Sequence, residues 1–140
     1  MAHVSDHELI RNAIALCCIA FDSKDWSLLE RSYTADCVVH YPEPLGLLTG
    51  LHELQDRIRR AIGDAKTQHA LTTQYIGPVH ADDATATTYC RGIHFLDDRH
   101  FFAEAKYEDQ LVKISPSEWR IKERTVTVMG VPQGDWSILG

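Results

Sequence analysis

The chain has 140 residues, of which 44% are hydrophobic, and carries a formal net charge of −6. This length and apolar content suit one globular domain, residues 1–140, that can bury a core and enclose a small cavity. The acidic balance and the lack of any basic run argue against nucleic acid as a partner, and no apolar run approaches the ~20 residues that cross a bilayer.

The N-terminal segment MAHVSDHELIRNAIALCCIAF is apolar but is interrupted by Asp6, Glu8 and Arg11. A signal peptide requires a basic start and an unbroken apolar run, so we expect a cytoplasmic protein. The four cysteines form no CxxC pair. Without a secretory signal they are expected to be free thiols, and we interpret them as core residues.

The first predicted helix begins in a capping box, in which Ser5 is the cap and Glu8 lies three residues later. Ile14, Cys18 and Asp22 follow at i, i+4 and i+8, on one line down this helix. Asp22 therefore lies at the inner end of an apolar line, near the helix C-terminus. A negative charge there is disfavoured by ~0.3–1 kcal/mol, so a compensating partner is expected. The alternative is a helix-end acid in water.

The remaining elements follow in chain order. Asp25 is in position to cap a second, short helix whose inner face holds Trp26. Residues 37–41 predict a short strand, and a third helix is expected after Gly50. Four longer strands, rich in Thr, Val, Ile, Tyr and Phe and separated by turn signals, are predicted at 67–79, 83–96, 100–114 and 119–129. Helices followed by strands predict an α+β fold, with the helices packed on one face of a curved antiparallel sheet.

Strand alternation assigns side chains to the two faces of this sheet. The inner face of strand 83–96 is small and carries Cys90 and His94, and that of strand 100–114 carries Phe101 and Tyr107 around two alanines. Interiors pack densely, so such a face requires either large side chains from the helices or a cavity.

The last strand places a charged residue on its apolar face. Trp119, Ile121 and Glu123 alternate to one side, whereas Arg124 is predicted to point outwards, as is Arg91 on its own strand. A buried carboxylate is costly unless it is paired or protonated. Glu123 is therefore either a functional acid, part of a structural ion pair, or a residue at a solvated strand end.

His69 and His94 are the histidines expected near the interior. Each alone is more typical of a hydrogen-bonded structural histidine than of a catalyst. His3 and His7 have a spacing that could bind a metal, but no third ligand is near in the sequence, and we predict no metal site.

These features together resemble a known family. Its pattern is an apolar helix, FDSKDW at 21–26, a strand ending at Tyr41, a helix, TQH at 67–69, a strand with His94, and then YEDQL and WRI. Nearly the whole chain is similar to the NTF2-like superfamily, in its SnoaL-like and scytalone-dehydratase-like branch. That resemblance implies a cone-shaped α+β barrel with a cavity between the helices and the sheet.

The resemblance also implies an active site. Asp22 and His69 match the family's Asp–His pair, while Tyr41 and His94 match one tyrosine and the second histidine. Tyr107 stands where scytalone dehydratase has an asparagine, and at position 21 that enzyme has a tyrosine, which argues against scytalone as the substrate. Glu123 is a candidate second acid or base. The expected substrate contacts are Phe21, Trp26, Leu71, Cys90, Phe101 and Ile121.

The expected function is a cofactor-free isomerase, cyclase or dehydratase. Relatives of this kind act on cyclic polyketide- or terpenoid-derived intermediates, and the sequence offers no GxGxxG loop for a nucleotide cofactor. One alternative is a non-catalytic ligand-binding or protein-interaction module of the same fold. An Asp–Arg–Asp epoxide hydrolase is disfavoured because Arg91 and Arg124 are predicted to point outwards. Relatives also oligomerise, and the semi-apolar outer row of strand 83–96 predicts a homo-oligomer, a dimer or a trimer.

Overall fold

The computed structural model describes residues 3–139 and has the element order of an α+β fold. Two α-helices, α1 (Asp6–Ser23) and α2 (Leu51–Ile62), lie in the first half of the chain. Two short 3-10 helices cover Trp26–Arg31 and Trp136–Ile138. The strands are β1 (Tyr33–His40), β2 (Leu47–Thr49), β3 (Lys66–Ile76), β4 (Asp83–Leu96), β5 (Arg99–Ser115), β6 (Glu118–Val128) and β7 (Gln133–Gly134). The predicted helices and longer strands are confirmed, whereas the short strands β2 and β7 were not predicted.

The strands form one open sheet in the order β2-β1-β6-β5-β4-β3, with β7 paired to part of β5. The predicted all-antiparallel pairing is wrong at one position, because β1 runs parallel to β6. A tight hairpin forces antiparallel pairing, but β1 and β6 are joined through α2 and the β3–β5 meander, so this constraint is absent. The sheet is therefore mixed, and its curved inner face is covered by the helices.

Helix α1 begins and ends as its sequence dictates. The Ser5 hydroxyl accepts a hydrogen bond of 3.1 Å from the backbone N–H of Glu8, as the capping box predicts. The helix ends at Lys24, whose φ of 57° is left-handed. Its buried stripe, from Ile10 to Phe21, packs across β3 and β6, while α2 packs against β1. This arrangement brings the C-terminal end of α1 against the start of β3.

Strand β6 contains a bulge that changes which side chains face inwards. Gln110 of β5 pairs with Glu123, but the next residue of β5 pairs with Ile121, which leaves Lys122 as an extra residue in β6. A bulge of one residue shifts the alternation of the strand. Ile121 is buried on the near side of the bulge and Arg124 on the far side.

The C-terminal segment folds back onto the sheet. Gly134 has a φ of 105°, and a Cβ at this position would lie 2.2 Å from the carbonyl oxygen of His100, so only glycine fits. The segment then places Ile138 in a buried position and the Trp136 ring 4.7 Å from that of Phe101. Within residues 3–139, no helix combines the length and the apolar character needed to span a membrane.

Candidate active site

A hydrogen-bonded pair joins the end of α1 to the start of β3. Asp22 Oδ1 lies 2.7 Å from the ring Nδ1 of His69 and accepts a 2.8 Å bond from the Thr67 hydroxyl. Asp22 Oδ2 accepts the backbone N–H of His69 at 3.0 Å. The predicted contact between Asp22 and His69 is therefore present. An ionised carboxylate only accepts hydrogen bonds, so Nδ1 carries the proton and Nε2 is left for another partner.

The surroundings of Asp22 favour its ionised form. Partial burial acts to raise the pKa of this carboxyl, but the hydrogen bonds from the side chain and backbone of His69 and from Thr67 outweigh it, and the pKa is lowered. The unfavourable position of this charge at the helix C-terminus is therefore compensated by these hydrogen bonds, and not by exposure to water. The question raised by the helical line Ile14–Cys18–Asp22 is thus answered in favour of a partnered, half-buried acid.

An apolar cavity of about 230 Å³ lies beside the pair, between the inner face of the sheet and the helices. Its polar lining residues are Tyr41, His69, His94 and Tyr107. The remaining wall is apolar and comprises Phe21, Pro44, Leu45, Ile58, Ala61, Ile62, Phe101 and Leu139. Asp22 does not line the cavity, and it reaches the cavity only through His69.

His94 is a second imidazole in the cavity wall. Its ring centroid lies 6.3 Å from that of His69, and the two rings are nearly perpendicular, at 82°. Burial and then the nearby His69 lower the pKa of His94 to about 4, so the ring is neutral at neutral pH. Its buried Nδ1 has no hydrogen-bond partner among residues 3–139. This nitrogen is closed off from solvent, so a molecule in the cavity meets the His94 ring through its other atoms.

Two tyrosines complete the polar part of the wall. Burial raises the pKa of Tyr41 and of Tyr107 well above the ordinary range of a phenol. Both therefore remain protonated and serve as hydrogen-bond donors. The arrangement offers an acid–base group, His69, and three neutral polar groups around one apolar space.

Besides Asp22, five predicted site residues lie outside the cavity wall. The prediction that Glu123 faces the interior is wrong: the β6 bulge turns it outwards, where its side chain is 45% exposed and its Oε1 lies 3.1 Å from His40 Nε2. Ile121 is fully buried in the core, and Cys90 lies on the inner face without reaching the cavity. The Trp26 ring packs against that of Phe21, and the partly buried Leu71 packs against the hydrophobic core. The predicted contacts Phe21 and Phe101 do line the cavity.

The interpretation of the cysteines as core residues is confirmed, because all four are free and buried. A hydrogen bond to Cys90, together with burial, raises the pKa of the Cys18 thiol far above its ordinary value. This thiol is therefore protonated and acts as a small core residue.

The predicted outward orientation of Arg124 is also wrong, because the bulge in β6 turns this side chain inwards. Arg124 is fully buried and forms a two-point ion pair with Asp109, with N–O distances of 2.6 and 2.9 Å. Asp109 lies two residues after Tyr107 on the same inner face of β5, and such a buried carboxylate is the sequence signal that a buried cation is needed. Neither residue lines the cavity, so the pair does not form an Asp–Arg–Asp hydrolase site there.

Comparison with known proteins agrees with this geometry. A family model described as "SnoaL-like domain" matches residues 2–125. No curated protein matches the sequence. A provisionally named aromatic ring hydroxylase from Novosphingobium aromaticivorans superposes with a TM-score of 0.83 at 16% identity, covering 99% of both chains.

Two further solved structures share the fold. A provisionally named scytalone dehydratase from Novosphingobium aromaticivorans has a TM-score of 0.79 at 20% identity and covers 91% of this chain and 86% of its own. A hexachlorocyclohexane dehydrochlorinase of type 2 has a TM-score of 0.77 at 15% identity and covers 91% and 87%. At these identities the likeness concerns the fold, which is the NTF2-like fold. Because the SnoaL-like model matches most of its length, the chain belongs to the SnoaL-like domain family.

Proposed function

We propose that this protein is a cofactor-independent acid–base enzyme, a dehydratase or an isomerase/cyclase, acting on a neutral cyclic polyketide- or terpenoid-derived intermediate. The observation that carries the proposal is the Asp22–His69 hydrogen bond of 2.7 Å at the wall of an apolar cavity. A carboxylate that holds one nitrogen of an imidazole leaves the other free for proton transfer.

The proposed chemistry begins at His69 Nε2. This nitrogen takes a proton from a carbon next to a substrate carbonyl, and the electron pair of the broken C–H bond moves to form an enolate. In a dehydratase the protonated ring then gives its proton to a hydroxyl on the neighbouring carbon, the C–O bond breaks, and water leaves as the C=C bond forms. In an isomerase the proton returns to a different carbon. Asp22 keeps the ring oriented throughout.

Three further polar residues of the cavity wall suit the oxygen of the enolate. Tyr41 and Tyr107 are protonated phenols, and His94 is a neutral imidazole whose ring lines the same cavity. Fixed donors in a dry cavity stabilise developing negative charge more strongly than water does, because they need no reorganisation. These three residues are therefore proposed to hold the carbonyl oxygen.

Size and charge restrict the substrate. A volume of about 230 Å³ lies below the roughly 300–1,000 Å³ of most small-molecule pockets, which favours a molecule of one or two rings. Among residues 3–139, no lysine or arginine lines this cavity, so a carboxylate or phosphate on the substrate would be left unpaired. The apolar wall thus supports a neutral substrate.

Two of the structural relatives carry names of elimination enzymes, a dehydratase and a dehydrochlorinase. Elimination needs the same initial proton abstraction, so these names support the proposed reaction class. The competing possibility is a non-catalytic binding module of the same fold. An imidazole at the cavity wall that is held by a carboxylate at Nδ1, with Nε2 left for proton transfer, favours catalysis over simple binding.

The test is turnover of a panel of hydroxylated mono- and bicyclic polyketide and terpenoid precursors, with mass spectrometry of the products. A product lighter by one water identifies a dehydratase, and an isobaric product identifies an isomerase or cyclase. His69→Gln and Asp22→Asn should abolish either product while retaining the fold by circular dichroism. Tight retention of a precursor without any conversion would instead support the binding module.

A further inference from the structure

A buried charged cluster of Arg124, Asp109 and the Tyr33 hydroxyl lies next to the cavity wall and takes no part in the proposed proton transfer. The side chains of Arg124 and Asp109 are both 0% exposed and are joined at two points. Arg124 Nη1 also donates to the Tyr33 hydroxyl at 3.0 Å. Taking two charges out of water is expensive, and an apolar pair of similar volume is often at least as stable. The presence of this pair in the core therefore raises the question of a role beyond stability.

The cluster touches the cavity through a single aromatic ring. Arg124 Cζ lies 4.0 Å from the centroid of the Tyr107 ring and 5.6 Å from that of Tyr33. Both distances are within the range of a cation–π interaction. Of these two rings, only that of Tyr107 lines the cavity. The positive charge of Arg124 therefore lies directly against a ring that is part of the cavity wall.

We propose that Arg124, held by Asp109, is a positioning residue that acts through the face of Tyr107 and strengthens its hydroxyl as a donor to an oxygen anion in the cavity. A cation on the face of a phenol withdraws electron density from the ring, which makes the O–H group a better hydrogen-bond donor. The two-point ion pair also fixes the guanidinium plane and hence the ring that it supports. The inference rests on the proposed function, in which an enolate oxygen develops in this cavity.

The electrostatics of Tyr107 are consistent with this role. Burial raises the pKa of its phenol, and the charge of Arg124 acts in the opposite direction. A charge acts more strongly in a dry interior than in water. Asp109 binds the Nε and Nη2 edge of the guanidinium, so its negative charge lies to one side of the face that Tyr107 contacts.

The experiment uses 4-nitrophenol as a probe, because its neutral and ionised forms have different absorption spectra. The ratio of ionised to neutral probe bound to the full-length protein at a fixed pH reports how well the cavity stabilises an oxygen anion. The matched variants are D109N/R124Q, which removes both charges and keeps the size of the pair, Y107F, and the triple variant. Circular dichroism confirms that each is folded.

We expect D109N/R124Q to lower the bound ionised-to-neutral ratio by about tenfold when Tyr107 is present, the order of a desolvated cation–π interaction. In the Y107F background the same change should alter the ratio by less than about twofold, because the hydroxyl that transmits the effect is gone. If D109N/R124Q does not fold, R124K tests the same idea: it keeps a positive charge but loses the two-point bond to Asp109 and the planar contact with Tyr107, so the ratio should fall by more than about threefold when the Tyr107 hydroxyl is present and by less than about twofold in the Y107F background.

Three results would overturn the inference. They are an unchanged ratio in D109N/R124Q, an equal change with and without the Tyr107 hydroxyl, and a wild-type protein that does not bind the ionised probe. None of these readouts needs turnover. Persistent turnover in His69→Gln would refute the proposed function while leaving the probe ratios interpretable, so the two failures can be distinguished.

Discussion

Replacing Arg124 by methionine should be among the most damaging single changes in the core. Methionine fills part of the space, but it removes two hydrogen bonds to Asp109 and one to Tyr33. It also leaves the Asp109 carboxylate buried without a partner. Removal of one member of a buried ion pair costs about 3–5 kcal/mol, a large share of the roughly 5–15 kcal/mol that stabilises a domain.

The assay is urea unfolding followed by circular dichroism, with a thermal melt as a second measurement. For a domain of this size, a loss of this order lowers the Tm by about 10–15 °C. The matched control is Arg91→Met on the same sheet, where Arg91 pairs with Glu104 but is 51% exposed. An exposed pair contributes at most about 1 kcal/mol.

A second variant isolates the cause of the loss. In D109L/R124M both charges are removed, and an apolar pair should recover most of the stability lost by R124M alone. Equal losses for Arg91→Met and Arg124→Met would refute the reasoning. So would a double variant no more stable than R124M, because the damage would then not come from an unpaired buried carboxylate.

Three further predictions follow from the same structure. The pKa of Asp22 is lowered in the folded state, so the contribution of its ionised form to stability is complete above the unfolded pKa of about 3.9 and is lost as the pH falls through the folded pKa. The difference in urea midpoint between wild type and Asp22→Asn should therefore narrow below about pH 4, and a constant difference would contradict this. The half-buried His94 has a pKa lowered to about 4, so its NMR signal, assigned with His94→Gln, should titrate near pH 4 instead of the ordinary value of about 6.5. The fold then binds this proton less readily than the unfolded chain, and His94 lowers stability as the pH falls from about 6.5 to about 4. We propose the outer row of β4, which includes Tyr89 and Phe95 at 38% and 45% exposure, as the contact between subunits of a homo-oligomer. Y89E/F95E should then reduce the mass measured by light scattering to that of one chain, and an unchanged mass would rule out this face.

The sequence allowed much of the fold to be predicted, because the decisive patterns are local. The capping box at Ser5 and the apolar stripe of α1 depend only on neighbouring residues. The small inner face of β4 likewise follows from simple alternation. Asp22 was recognisable as unusual because it continues an apolar helical line, and its partner His69 was identified through the family resemblance.

The errors all involve contacts between distant segments. A one-residue bulge at Lys122 exchanged the orientations of Glu123 and Arg124, and nothing in the local sequence reveals it. The parallel pairing of β1 with β6 is likewise set by the path of the chain between them. Ile58 and Ile62 of α2 line the cavity, but helical spacing places them only on one face of the helix, because packing decides whether such a face meets a sheet or a cavity.

The most direct measurement of the Asp22–His69 chemistry is hydrogen–deuterium exchange at carbon. Neutral mono- and bicyclic ketones are incubated in D2O with wild type, His69→Gln, Asp22→Asn and the outward-facing control Glu123→Gln, and deuterium next to the carbonyl is read by mass spectrometry. Wild type and Glu123→Gln should catalyse deuterium exchange of the ketone at the same rate, whereas the rate with His69→Gln should be lower by about 10²–10⁴-fold. Equal exchange by wild type and folded His69→Gln, or no exchange of any ketone by wild type, would contradict proton transfer by this pair.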